Sequence, residues 1–391
     1  MRFPLFVATM AVVLIPVLTG CGKIPTWGEL TGETPPPAPA TPIPSAAPVA
    51  PVQPAVPAGP TSSEVIAQFQ SLRSAEVSDV AITRLTALKE GLDQITEINA
   101  DGSGVTKDAF GAIEKLTHLR QLRLDNSRVN DEACQNISKV ASLEVIALTG
   151  TAVSDVGVAA LSGLPHLQQL ELSRCRLSAN GFAAIGKMPA LKTLYLESTN
   201  LNDETLQLVC EAKTLTYLRL DRNSISDRGL SALKKLDSLE QLEISYTQIS
   251  GWGLEYAHGL KQMVRLDIYA CPINDKGAKA IGKLVNLQRL NMGDTPLMND
   301  KGFGMIVDGM KHLKFLNLSK CGGLDGSAFK ALKGARELET LHIDQCGMIG
   351  DSAIKFLKTL KSLKEIRLGS TAITPTGIQE LQFALPECKI Q

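Results

Sequence analysis

Residues 119–142 read LRQLRLDNSRVNDEACQNISKVAS, and residues 143–166 read LEVIALTGTAVSDVGVAALSGLPH. Laid one above the other they agree in their leading apolar residues, with Leu119, Leu122 and Leu124 over Leu143, Ile146 and Leu148. The spacing returns at Leu167, Leu170 and Leu172 and at Leu191, Leu194 and Leu196, then from Leu215, Leu239, Met263, Leu287, Leu313, Leu338 and Leu363. The period is 24 residues, three units run to 25 or 26, and with a unit opening at Ile95 there are twelve. A fixed period of this length marks a chain that grows by stacking, so its 391 residues need not divide into several globular domains.

The pattern inside one unit predicts its shape. In L-x-x-L-x-L the alternation fits a short strand with leucines inward and the intervening residues on an open face. Three residues after the strand comes a small polar position: Ser103, Ser127, Thr151, Cys175, Thr199, Asn223, Thr247, Cys271, Thr295, Cys321, Cys346 and Thr371. Its expected work is to satisfy buried turn backbone, which an amide, a hydroxyl and more weakly a thiol can each do. Asp131, Asp155, Asp203, Asp227 and Asp275 then start helical stretches, where an N-cap acceptor is wanted. An inward apolar residue follows, as at Phe110, Val158, Phe182, Leu230, Phe303 and Phe329, and Cys134 holds the same slot. Further apolar residues come three and six positions on, as Leu233 and Leu236 do after Leu230.

This constellation resembles the leucine-rich repeat family over about three quarters of the chain. The resemblance implies an α/β fold, a right-handed solenoid or horseshoe with a concave parallel sheet and convex helices. The helical convex side is similar to the ribonuclease-inhibitor-like and cysteine-containing types, although 24 residues is shorter than either usually shows. Residues 95–391 form the repeat domain. Residues 61–94 are expected to be a helical N-terminal cap, since Val77-Ser78-Asp79-Val80 matches Val153-Ser154-Asp155-Val156. Leu385 to Gln391 looks like one last strand, with Pro386 and Lys389 discouraging edge pairing.

The first residues read as an address. Arg2 is followed by an uncharged run from Phe3 to Leu18, short for a membrane span of roughly 20 residues. It ends in Leu18-Thr19-Gly20-Cys21, which resembles the lipobox of bacterial lipoprotein precursors. The resemblance implies a signal peptide over residues 1–20, cleavage before Cys21, and diacylglycerol on the Cys21 thiol. Gly22 rather than Asp after the cysteine favours the outer membrane if the cell is Gram-negative. Within residues 21–60, the stretch from 35 onward holds eleven of the twenty prolines and seven alanines, a composition of an extended polyproline-like stalk rather than a core.

Lys and Arg number 40, as do Asp and Glu, so there is no basic surplus to neutralise a nucleic-acid backbone. The eight cysteines contain no C-x-x-C pair and predict neither a zinc site nor a disulfide framework. Dinucleotide, phosphate-loop, zinc-protease and hydrolase motifs are absent. His342 and Asp344 share a strand face with Ser319 one unit earlier, but an open face without oxyanion donors makes hydrolysis a poor expectation. No cofactor is expected and no enzymatic activity.

The concave face carries more information. Four of the five tyrosines, Tyr195, Tyr217, Tyr246 and Tyr269, fall there within residues 191–286, and Arg219, Arg222, Arg265 and Arg289 lie around them. Tyr and Arg are enriched at interface hot spots, so these eight residues are the expected contact set for a protein or peptide partner. The alternatives are an envelope spacer without a specific ligand and a glycan-binding module. Cys21→Ser should release or mislocalise the chain while leaving the repeats folded. Mass spectrometry of the native N-terminus should find a diacylated Cys21, and retention of Met1 would remove the anchor from the account.

Overall fold

The computed structural model describes residues 60–391. The signal segment, Cys21 and the stalk up to residue 59 lie outside the described residues. Two helices, Ser62–Gln70 and Asp79–Thr86, precede the first strand, the former opening on a capping box between Thr61 and Glu64. Thirteen strands of two or three residues follow, from Glu97–Asn99 to Lys389–Ile390, in one parallel sheet whose order is the order of the sequence. Equivalent positions lie side by side: Leu122 against Ile146, Ile146 against Leu170, Leu170 against Leu194. Parallel neighbours cannot be joined by hairpins, so the rest of each unit returns over the convex side as a helical turn. The result is an α/β horseshoe solenoid.

The inward leucines supply the cohesion. Leu119, Leu122 and Leu124 and their counterparts along the chain are fully buried, each contributing about 2 kcal/mol of apolar burial. Phe110, Phe182, Phe303 and Phe329 fill the space beneath the convex segments, and Cys134 is buried in the same slot. The convex segments are not uniform. Asp131–Ile137 and Asp155–Leu161 are α-helices, whereas Gly229–Lys235, Trp252–Ala257 and Ala328–Gly334 are 3-10 helices.

The aspartates expected as N-caps do a different job. The cap is the preceding residue, as at Asn130, Ser154 and Asn202, and the aspartate stands at the first helical position. From there it reaches forward into the next unit. Asp131 accepts from the Ser154 N–H and hydroxyl and from the Gly157 N–H, and Asp227 accepts from Ser250, Gly251 and Gly253. Asp79 with Thr106, Asp155 with Ser178, Asp203 with Ser226 and Asp351 with Thr374 repeat the arrangement. Where the preceding unit has Lys107, Ala179 or Gly251 instead, the next cap is Asn130, Asn202 or Asn274. Each Asn amide oxygen accepts from the third helical N–H without help. The two arrangements solve one problem, the orphan donors of a helix start. The carboxylate also explains a glycine: a Cβ on Gly181 would lie 2.4 Å from Asp155 Oδ1.

The small polar positions form a second ladder. Thr151, Thr199, Thr247, Thr295 and Thr371 donate to the carbonyl three residues back in their own unit. Cys175, Cys271, Cys321 and Cys346 instead donate to the corresponding carbonyl of the unit before, at 3.2–3.4 Å. Asn223 does both, donating to Leu196 and Leu220 carbonyls and accepting from the Thr199 and Leu201 N–H groups. All four ladder cysteines are free thiols, as are Cys134, Cys210 and Cys388.

Just before this ladder lies a residue with left-handed backbone in all twelve units. It is Gly102 or Gly150 in two of them, but Asn126, Arg174, Ser198, Arg222, Tyr246, Ala270, Asp294, Lys320, Gln345 and Ser370 in the others. The turn demands it: the N–H of the following residue returns to the carbonyl that closes the strand, as from Cys271 to Ile268. A side chain there costs roughly 1 kcal/mol. Ala270→Gly should therefore raise stability by about 1 kcal/mol in urea unfolding. Asn223→Ala, which orphans buried backbone groups of two units, should lower it by about 3 kcal/mol. Equal effects of the two would contradict both ladders.

Candidate functional site

Strand positions three and five and the two turn residues beyond them build the concave face. Tyr195 and Tyr217, on adjacent strands, pack with ring centroids 5.0 Å apart, and Tyr246 and Tyr269 with centroids 5.5 Å apart. The Arg222 guanidinium covers the Tyr246 ring at 3.9 Å, and Lys320 Nζ lies 5.9 Å from the Tyr269 centroid. Tyr269 can lean that way because Gly293 leaves the space empty: a Cβ there would sit 3.0 Å from its ring. Four side chains thus form one row, Arg222, Tyr246, Tyr269 and Lys320, cationic at both ends and aromatic between. Tyr246 is the exposed member, and the other three tyrosines are half-buried.

The charged residues are more committed to one another than their sequence positions imply. Arg219 lies 2.7 Å from Asp221, 2.9 Å from Glu197 and 3.5 Å from Glu243. Arg222 takes Glu197 at 3.4 Å, and Arg265 takes Glu243 at 2.7 Å. Asp221 and Glu243 are buried within this network. Burial pushes the Asp221 carboxyl above the usual range, against the pull of Arg219. Burial and the Glu243 charge together push the Tyr217 hydroxyl well up, so it stays a neutral donor. Towards the N-terminal end Arg123 bridges Asp101, Asp125 and, two units away, Glu171, while Arg174 reaches back to Asn126. The unit between contributes only Val145, Ala147, Thr149 and Gly150 to the face, small enough for both bridges to pass over.

All eight expected contact residues lie on this face, but they are not equivalent. Tyr246 and Arg222 are exposed, Arg219 and Arg265 are tied to carboxylates, and Arg289 stacks on Phe315 at 4.3 Å. Phe315 and Lys320, which belong to the same surface, were not singled out from sequence. Their signal was present in the register, since Phe315 lies beside Arg289.

The His342 constellation does not assemble as a hydrolytic triad. The Ser319 hydroxyl donates directly to Asp344 at 3.3 Å, and His342 lies edge-on to Phe315 with centroids 5.2 Å apart. His342 Nε2 is buried without a hydrogen-bond partner. Among the described residues no group of His, Cys, Asp and Glu is placed to hold a metal ion. No helix among them is long and apolar enough to cross a membrane.

A family model described as "Leucine Rich repeat" matches residues 163–186 and 211–234. A crystal structure of an internalin from Listeria monocytogenes is similar with a TM-score of 0.58 at 18% identity, covering 84% of this chain and 93% of that one. A Leptospira interrogans leucine-rich repeat protein aligns at 17% identity over 83% of this chain and 94% of that one, with a TM-score of 0.39. No curated protein matches the chain. The chain has the fold of a leucine-rich repeat solenoid, and residues 163–186 and 211–234 match the family's repeat.

Burial, with Arg367 and Arg289 nearby, holds the His342 imidazole below its ordinary value of 6.5, outweighing Glu365 and Asp344. The folded chain therefore binds this proton less tightly than the unfolded chain does. His342 costs nothing well above 6.5 and erodes stability as pH falls through that value. Urea unfolding at about pH 7 and about pH 5 should show a larger acid loss for the wild type than for His342→Gln. Equal losses would show that His342 is not the titrating group.

Proposed function

We propose that this chain is a non-enzymatic recognition protein that holds a protein or peptide partner on the concave face of residues 191–286. Leucine-rich repeat folds commonly serve as protein-interaction scaffolds. The observation that carries the reading here is the row Arg222, Tyr246, Tyr269 and Lys320 beside the Tyr195–Tyr217 pair. Aromatic rings already held against neighbours lose little freedom when a partner covers them, and they bring large contact area. In the same reading Cys21 fixes the chain to a membrane of the cell envelope, the outer one in a Gram-negative cell, and the stalk displays the solenoid. Two or more acyl chains make such anchoring close to permanent.

One observation favours the spacer alternative. Arg219, Arg222 and Arg265 spend their charge on carboxylates of the same face, which is what a surface built for its own stability would do. Affinity for a captured envelope partner separates the two. Tyr217→Ala with Tyr246→Ala should weaken binding by well over tenfold, since hot-spot truncations cost about 2 kcal/mol or more each. Lys234→Ala on the convex side should leave it unchanged, and melting temperature should move little in either variant. A double variant that binds like the wild type would leave the spacer reading standing.

A further inference from the structure

This inference rests on the concave-face reading and asks what chemistry the partner brings. On that face Arg123, Arg219, Arg222, Arg265 and Arg367 each hold a carboxylate of the chain, at nearest distances of 2.7–3.4 Å. Arg174 donates to the Asn126 amide oxygen at 2.9 Å. Arg289 is the exception among the described concave arginines, for it has neither a carboxylate nor an amide acceptor. Its guanidinium lies over the Phe315 ring, 4.3 Å from the centroid. Stacking occupies the flat face of the group and leaves its edge, with five N–H donors in a fork, unspent.

A second arginine meets Arg289 at this point. Arg265 stands beside Arg289 in strand register, and its own partner, Glu243, comes from the strand on its other side. The one carboxylate that lines the cleft, Asp267, is occupied by the Ser245 hydroxyl at 2.6 Å and the Asn291 amide at 2.8 Å. Asn291 is held in turn by the Asn317 amide at 2.8 Å. Arg265, Asp267, Arg289, Asn291 and Phe315 enclose a cleft of about 120 Å³, room for a carboxylate and the methylenes that carry it. Burial and the Arg265 charge both disfavour the Arg289 cation in the absence of an anion.

We propose that this cleft receives an acidic side chain of the partner, its carboxylate forked by the edge of Arg289 with Arg265 alongside and its methylenes against Phe315. A shallow cleft in the middle of an open face lets the partner backbone pass on both sides, which an internal Asp or Glu needs and a chain end does not. The contact adds a charge-selective anchor at the edge of the tyrosine row, one strand beyond Arg265.

Fluorescence anisotropy of the full chain with labelled peptides tests it. Acetyl-tetraglutamyl-amide should bind at least about tenfold tighter than acetyl-tetraglutaminyl-amide at low salt. Arg289→Ala should abolish that preference, and Arg289→Lys should remove most of it, because an ammonium keeps the charge without the fork. Lys234→Ala should keep it, and circular dichroism should show all variants folded. A preference that survives in Arg289→Ala overturns the proposal. So does equal binding of a tetraglutamine peptide with a free C-terminus, or competition by inorganic phosphate at the same concentration as by the glutamate peptide. An envelope partner lost on changing Tyr217 and Tyr246 but kept by Arg289→Ala would overturn the acidic anchor while leaving the concave-face reading intact.

Discussion

Neighbouring units of this solenoid bond one another's buried backbone at the turn after the strand and at the helix start, and the register of the stack follows from that. A strand of three residues followed by a tight turn and a short helix leaves carbonyls at the strand end and N–H groups at the helix start without partners. Leaving either unpaired costs about 1–3 kcal/mol. A neighbouring unit reaches both places: Cys175, from the unit after, donates to the Leu148 carbonyl that Thr151 also bonds, and Asp131, from the unit before, accepts from the Ser154 and Gly157 N–H groups. Apolar burial makes the stack cohesive, but these directional bonds fix its register. A slip by one residue would break both ladders at once.

The same register governs what the concave face can do. Side chains at one position recur on neighbouring strands about 4.8 Å apart, so charges along the face meet their neighbours whether or not a partner is present. Most of them are consequently paired, as Arg219 is with three carboxylates. What pairing leaves over is what the proposed partner would meet: aromatic rings in rows, the exposed Tyr246, and the unspent edge of Arg289. Small residues have a part in this, since Gly293 allows Tyr269 to lean towards Lys320 and Ala147 lets Arg123 reach Glu171.

The strands, the inward leucines and the small polar ladder were readable in the sequence because they depend on residue type at fixed spacing. The left-handed turn position was not. Eight of its twelve occupants, Arg222 and Tyr246 among them, are residues that do not ordinarily advertise that conformation, and Gly or Asn/Asp occurs only at Gly102, Asn126, Gly150 and Asp294. The aspartates were legible as helix starts, but their bonds run forward into the next unit, which local spacing does not reveal. On the concave face the tyrosines and arginines could be located, whereas their pairing could not: Arg219 and Arg289 occupy comparable positions in sequence, and only the arrangement in space separates the tied arginine from the one with donors to spare.

The central claim is that a partner lies along the concave strands of residues 191–286. Amide hydrogen exchange of the full chain, measured with and without a captured envelope partner, reads this face directly. Exchange-slowed peptides covering 193–198, 217–222, 241–246 and 265–270, with the convex segments unchanged, are the predicted result. Protection confined to the convex segments, or none above that of the free chain, would contradict it.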